Sequence, residues 1–172
     1  MLLSARDYRD LCGADEGLAG DPAGLLSYVL DPSENARDVA EEVRRTTGLA
    51  SRQLLPTGGY SGAAPTVHEW RRSFHDAQYV VTDSFHGTVF SIIFNKPFVV
   101  VANTARGRTR FDSLLTTFGL DDRLVTRASE VSDELVHAPI DWRQVNSRIA
   151  AESSRSLHYL REHLVREPAG RR

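Results

Sequence analysis

Two short, wholly apolar runs, each followed by a polar turn and then by apolar residues at helical spacing, limit what this chain can fold into more than any other feature. Both lie in residues 76–111, DAQYVVTDSFHGTVFSIIFNKPFVVVANTARGRTRF. Tyr79, Val80 and Val81 form the first run, and Thr82, Asp83 and Ser84 follow as a turn of the kind that caps a helix. The pattern Val89, Phe90, Ile92, Ile93 comes next. Phe98 and the three valines after it form the second run. A polar loop with Arg106, Arg108 and Arg110 then leads into Phe111, Leu114, Leu115 and Phe118. Strands that are apolar on both faces belong in a parallel sheet covered by helices, and such sheets bind ligands beyond the carboxyl ends of their strands.

The rest of the chain continues the alternation. Residues 25–30 read as a buried strand. Asp31-Pro32-Ser33-Glu34 then starts a helix, with Asp31 as cap and Pro32 in the first turn, and Gly48 closes it. Residues 52–55 suggest a further short strand, followed by the glycine-rich loop 56–62. That loop lacks a P-loop lysine and dinucleotide-fingerprint spacing, so it is either a phosphate cradle or a plain connection. Thr66 and Glu69 form a capping box for a helix carrying Trp70 and Phe74. After Gly119 a short strand is expected at 123–125 and a helical turn at 131–135. Asp141 caps a long final helix with the stripe Trp142, Val145, Ile149, Leu157, Leu160 and Leu164. A capping pair at Ser4 and Asp7 suggests a short helix near the start. These units predict an α/β fold, a Rossmann-like doubly wound parallel sheet with helices on both faces. It spans residues 1–166 as one domain, with 167–172 as a disordered tail.

Composition narrows the function. A formal charge of -2 gives no basic field for nucleic acid, and no run approaches the ~18 apolar residues of a membrane helix. Cys12 is the only cysteine, which rules out an intrachain disulfide and a cysteine-based metal site within one chain. The start MLLSARDYRD lacks a secretion signal, so a cytoplasmic location is expected, with no transmembrane segment and no metal.

The chemistry concentrates at residues 82–88. A carboxylate (Asp83), two hydroxyls (Ser84, Thr88) and an imidazole (His86) lie around a helix start, where free N–H groups and the helix dipole attract an anion. The dipole disfavours an imidazolium and a bound phosphate or carboxylate favours it, so His86 could take up a proton with the ligand and deliver it as a general acid. Gly87 permits close backbone approach. For Asp83 and Ser84, helix capping explains the residue types equally well. A Ser84–His86 nucleophile pair is excluded, because residues two apart do not face each other and no nucleophile-elbow motif is present. Thr109 and Asp112 suggest a second capping box, which would put a second helix N-terminus, with Arg106, Arg108 and Arg110, beside the first.

TDSFHGTVFSIIFNKPF with the arginine loop, RFDSLLTTFGLDDRLV and the earlier YVLDPSENA resembles the C-terminal half of the polysaccharide pyruvyl transferase family, from about residue 24 onward. The resemblance implies a domain like the C-terminal one of GT-B-type transferases. It also implies transfer of the pyruvyl group of phosphoenolpyruvate to a pair of sugar hydroxyls as a ketal, as in exopolysaccharide biosynthesis. No cofactor is implied beyond phosphoenolpyruvate as donor substrate, and the partners would be a saccharide acceptor and a missing N-terminal domain or a second copy. His86 matches the family histidine that contacts the donor. Several members carry arginine where this chain has Ser84, and the arginine loop is the expected substitute. The chain would then be the donor-binding half of an enzyme, incomplete by itself. Two alternatives stay open: a non-catalytic binding or assembly module, and a nucleotide-sugar-binding glycosyltransferase domain.

Overall fold

The computed structural model describes residues 24–54, 65–102 and 108–164. Five parallel strands form one sheet: β1 (Leu25–Tyr28), β2 (Ser51–Gln53), β3 (Tyr79–Thr82), β4 (Phe98–Val101) and β5 (Leu124–Val125), in the order β2-β1-β3-β4-β5. Between them run α1 (Glu34–Thr47), α2 (Val67–Asp76), α3 (Phe85–Ile93) and α4 (Thr109–Phe118). The helices α5 (Asp133–His137) and α6 (Trp142–Leu164) follow β5. This is the expected α/β, Rossmann-like arrangement.

The strand order fixes the layers. The chain steps from β1 to β2 in one direction and then returns past β1 to β3, so with a single crossover hand α1 must cover one face and α2, α3 and α4 the other. The two cores agree with this. Leu26, Val80, Phe98 and Val100 pack under Phe74, Ile92, Phe111, Leu115 and Val145, whereas Leu25, Val81, Val99 and Val101 pack under Val39, Val43 and Val136. Alternate residues of each strand thus feed opposite cores, which is why β3 and β4 are buried on both faces and read as unbroken apolar runs. The reversal of direction lies between β1 and β3, and in doubly wound sheets this is where a crevice opens beyond the strand ends.

Local signals set most boundaries. The Thr66–Glu69 capping box forms in full, with the Thr66 N–H donating to Glu69 Oε2 at 2.7 Å and the Glu69 N–H to Thr66 Oγ1 at 3.2 Å. Gly48 and Gly119 end α1 and α4 at φ 68° and 70°, the left-handed region that glycine enters at least cost. Asp141 accepts the Gln144 N–H at 3.0 Å at the start of α6.

Two expectations need correction. Ser33, not Asp31, caps α1: its hydroxyl accepts the Ala36 N–H at 3.1 Å, while the Asp31 N–H is held elsewhere, by Asp83. Thr109 does not cap α4. Arg108 occupies the cap position with helical backbone and its carbonyl already accepts the Phe111 and Asp112 N–H groups, so Thr109 falls inside the helix and Asp112 pairs with Arg108. The apolar stripe of α6, by contrast, is as its length implies: it is buried at Val145 and leaves Leu157 and Leu164 exposed, because the helix, about 34 Å long at ~1.5 Å per residue, outruns the sheet. The expected N-terminal helix, the glycine-rich loop 56–62 and the tail lie outside the described residues.

Candidate functional site

The turn from β3 into α3 is built by short side chains that bond to nearby backbone. Thr82 Oγ1 donates to the Tyr28 carbonyl of β1 at 2.6 Å and accepts the Ser84 N–H at 3.0 Å. Ser84 caps α3: its hydroxyl accepts the Gly87 N–H at 3.4 Å, and its carbonyl accepts from Thr88 Oγ1 at 3.0 Å. Ser84 and Thr88 are buried, so both hydroxyls face the turn rather than solvent. Gly87 is explained by the same packing. A Cβ there would collide with Thr82 Oγ1 and approach the Tyr28 ring at 3.0 Å. Asp83 is half-buried and accepts two backbone N–H groups, that of Leu30 at 2.6 Å and that of Asp31 at 2.9 Å.

The outward-facing residues of this region are different ones. His86, in the first turn of α3, is exposed, and so is Arg110 in the first turn of α4. The guanidinium of Arg110 lies 5.6 Å from the Phe85 ring centre, the Phe85 and His86 ring centres are 6.2 Å apart at 87°, and those of Phe85 and Phe111 are 6.1 Å apart. His86 and Arg110 share one open groove of about 680 Å³ between α3 and α4, whose apolar wall is Phe85, Val89, Leu114 and Phe118. The N–H groups of Phe85 and His86 precede the first intrahelical bond of α3 and have no acceptor within it. Here the groove joins an aromatic wall, an imidazole, a guanidinium and a helix N-terminus, a combination able to hold a small anion with an apolar part.

The structure therefore divides the residues singled out from sequence. It puts His86 and Arg110 on one groove at the surface, places Ser84, Gly87 and Thr88 in the turn that carries His86, and ties Asp83 to the loop after β1. Arg108 faces solvent with Asp112, Nε to Oδ1 3.2 Å. Arg106 lies outside the described residues. Sequence reasoning missed Phe85, whose place between His86 and Arg110 is signalled only by its position in the motif. It also missed the link from Thr82 and Asp83 to β1, whose partners are more than 50 residues away. Among the described residues no group of three His, Cys, Asp or Glu could hold a metal ion, and no helix is long and apolar enough to cross a membrane.

A five-stranded parallel sheet with helices on both faces defines the Rossmann-like class. Within it, residues 10–104, more than half of the chain, match the family model of polysaccharide pyruvyl transferases, and the chain belongs to that family. The match includes β1 through β4 and the whole of residues 82–88, and it ends before Arg106, Arg108 and Arg110. It begins earlier and ends earlier than the resemblance read from the motifs, which extended through residue 125. No curated protein and no solved structure matches the chain.

Proposed function

We propose that the groove at the start of α3 and α4 binds phosphoenolpyruvate and serves its transfer, as a pyruvyl ketal, to a pair of hydroxyls on a saccharide. The observation that carries this reading is the exposure of His86 and Arg110 on one groove in a chain of the pyruvyl transferase family. Arg110 supplies a fork for the phosphate or carboxylate, and the Phe85 and His86 N–H groups supply further donors at the positive end of the helix dipole. The apolar wall suits the methylene end of the donor. His86 gives a proton to that methylene carbon, one sugar hydroxyl attacks the adjacent carbon, and the carbon–phosphate oxygen bond breaks. The second hydroxyl then closes the ketal; of the two hydroxyl protons released, one leaves with the phosphate and the other restores His86. Arg110 stands in for the arginine that several family members carry at the position of Ser84.

The test is phosphate release from phosphoenolpyruvate, in the presence of galactose- and mannose-containing acceptors, by a version of the chain extended upstream and by the chain alone. Acceptor-dependent release that falls at least about a hundredfold in His86→Ala, the scale of general acid–base catalysis, is the expected result. Release that is independent of acceptor, or unchanged in the variant, overturns the assignment. Donor binding without release by the chain alone fits the donor-binding half of an enzyme, whereas the same result from the extended version with every acceptor favours the non-catalytic binding module.

A further inference from the structure

We infer that Asp83 is a positioning residue: its carboxylate fastens the loop after β1 to the β3–α3 turn and so fixes the helix start that presents His86. The inference rests on the donor-site reading above and adds to it the means by which the site is held in shape. Its geometry is specific. The two carboxylate oxygens take separate N–H groups from consecutive residues, Leu30 and Asp31, at 2.6 and 2.9 Å. One residue earlier, Thr82 Oγ1 holds the Tyr28 carbonyl at 2.6 Å. Three backbone groups at and just past the end of β1, the Tyr28 carbonyl and the Leu30 and Asp31 N–H groups, are thereby matched, acceptor and donors, by two successive side chains at the end of β3.

The position of this clasp in the fold gives it consequence. β1 and β3 are the strands between which the sheet reverses direction, so the turns leaving them diverge to opposite faces, α1 behind and α3 in front. Nothing in the ladder itself holds diverging loops together; the register of β1 and β3 ends at the pair Tyr28–Thr82. Past that pair, Asp83 makes the next connection. With both oxygens engaged by N–H groups, the carboxylate is oriented toward the β1 loop, and its role differs from that of a proton carrier at the groove. Asp83 is also where α3 starts: Ser84, the next residue, caps the helix whose first turn carries His86.

The experiment compares the native chain with Asp83→Ala and Asp83→Asn. Amide hydrogen exchange is read at Leu30 and Asp31, with Val145 of α6 as a control for the global fold, and calorimetric affinity is measured for phosphoenolpyruvate. The inference expects Asp83→Ala to speed exchange at Leu30 and Asp31 by about ten- to a hundredfold, the size associated with losing charge-assisted hydrogen bonds, with exchange at Val145 unchanged. The affinity for phosphoenolpyruvate should fall by about tenfold in parallel. Asp83→Asn keeps one acceptor oxygen and should recover part of both losses. Unchanged exchange at Leu30 and Asp31 in Asp83→Ala overturns the inference, as does an Asn variant as weak in binding as Ala while its exchange is native. If the native chain does not bind phosphoenolpyruvate, the donor-site reading fails, and the exchange comparison still decides whether Asp83 fastens the two turns.

Discussion

The two ends of the sheet treat arginine in opposite ways. At the amino ends of the strands, Arg123 is 2% exposed, and its guanidinium donates to the carbonyls of Leu135 at 2.9 Å and Ala138 at 3.0 Å, with Asp122 Oδ2 3.1 Å from Nε. At the carboxyl ends, Arg110 is exposed and meets the face of Phe85. A buried cation has to be matched by fixed acceptors or the domain does not form, so Arg123 belongs to the architecture: it ties the end of α5 to the start of β5. An exposed cation beside a helix N-terminus contributes little to folding and is free for a ligand. What separates the structural arginine from the proposed ligand-binding one is the number of acceptors already committed to it.

Arg123→Ala puts this contrast under the greatest strain. It leaves two carbonyls without their donor and a void behind them, and should destabilise by about 3–5 kcal/mol in chemical denaturation, the range for breaking a buried ionic network. Lysine should not restore the loss, because one ammonium cannot reproduce the fork that reaches both carbonyls. Gly87→Ala tests the other end, where the added Cβ meets Thr82 Oγ1 and the Tyr28 ring. Overpacking of this kind should cost about 1–3 kcal/mol, and a neutral result would mean that the turn is looser than described.

Tyr79 gives the amino end a pH signature. Its hydroxyl is buried without an aligned hydrogen-bond partner, and burial pushes the phenol up to about 12, against the opposing pull of the Arg123 charge. A phenol of ordinary value near 10 when unfolded and about 12 when folded leaves stability intact below pH 10 and removes it as pH rises from 10 towards 12. Tyr79→Phe should abolish that alkaline decline; a variant that still loses stability over the same interval would remove Tyr79 as its source. The smallest expected effect on folding is that of Arg110→Ala, within about 0.5 kcal/mol of native. A larger loss would make Arg110 a second structural arginine and erase the contrast.

How much of this was legible depended on sequence distance. The Thr66–Glu69 box was readable because both partners fall within one turn of helix, and β3 and β4 were readable because burial on both faces leaves no polar position in them. The α1 cap was misplaced, since Asp31 and Ser33 flank Pro32 and either could serve. What decides between them is Asp83, 52 residues away, which holds the Asp31 N–H. The pair Thr109 and Asp112 has the spacing of a capping box, but the helix begins one residue too early for it. Arg123 falls at the start of the strand expected at 123–125, but its burial follows from the docking of α5 and has no local signature. For the site, His86 was legible from its place at a helix start. Its pairing with Arg110 through Phe85 depends on how α3 and α4 pack, which sequence spacing does not carry.

Calorimetric titration of phosphoenolpyruvate into the native chain, His86→Ala and Arg110→Ala, with unfolding midpoints measured on the same samples, tests the central claim most directly. The account predicts that each variant unfolds as the native chain does and binds at least about tenfold more weakly, the size of one charge-assisted hydrogen bond to an anion. Equal affinity in all three proteins would contradict it.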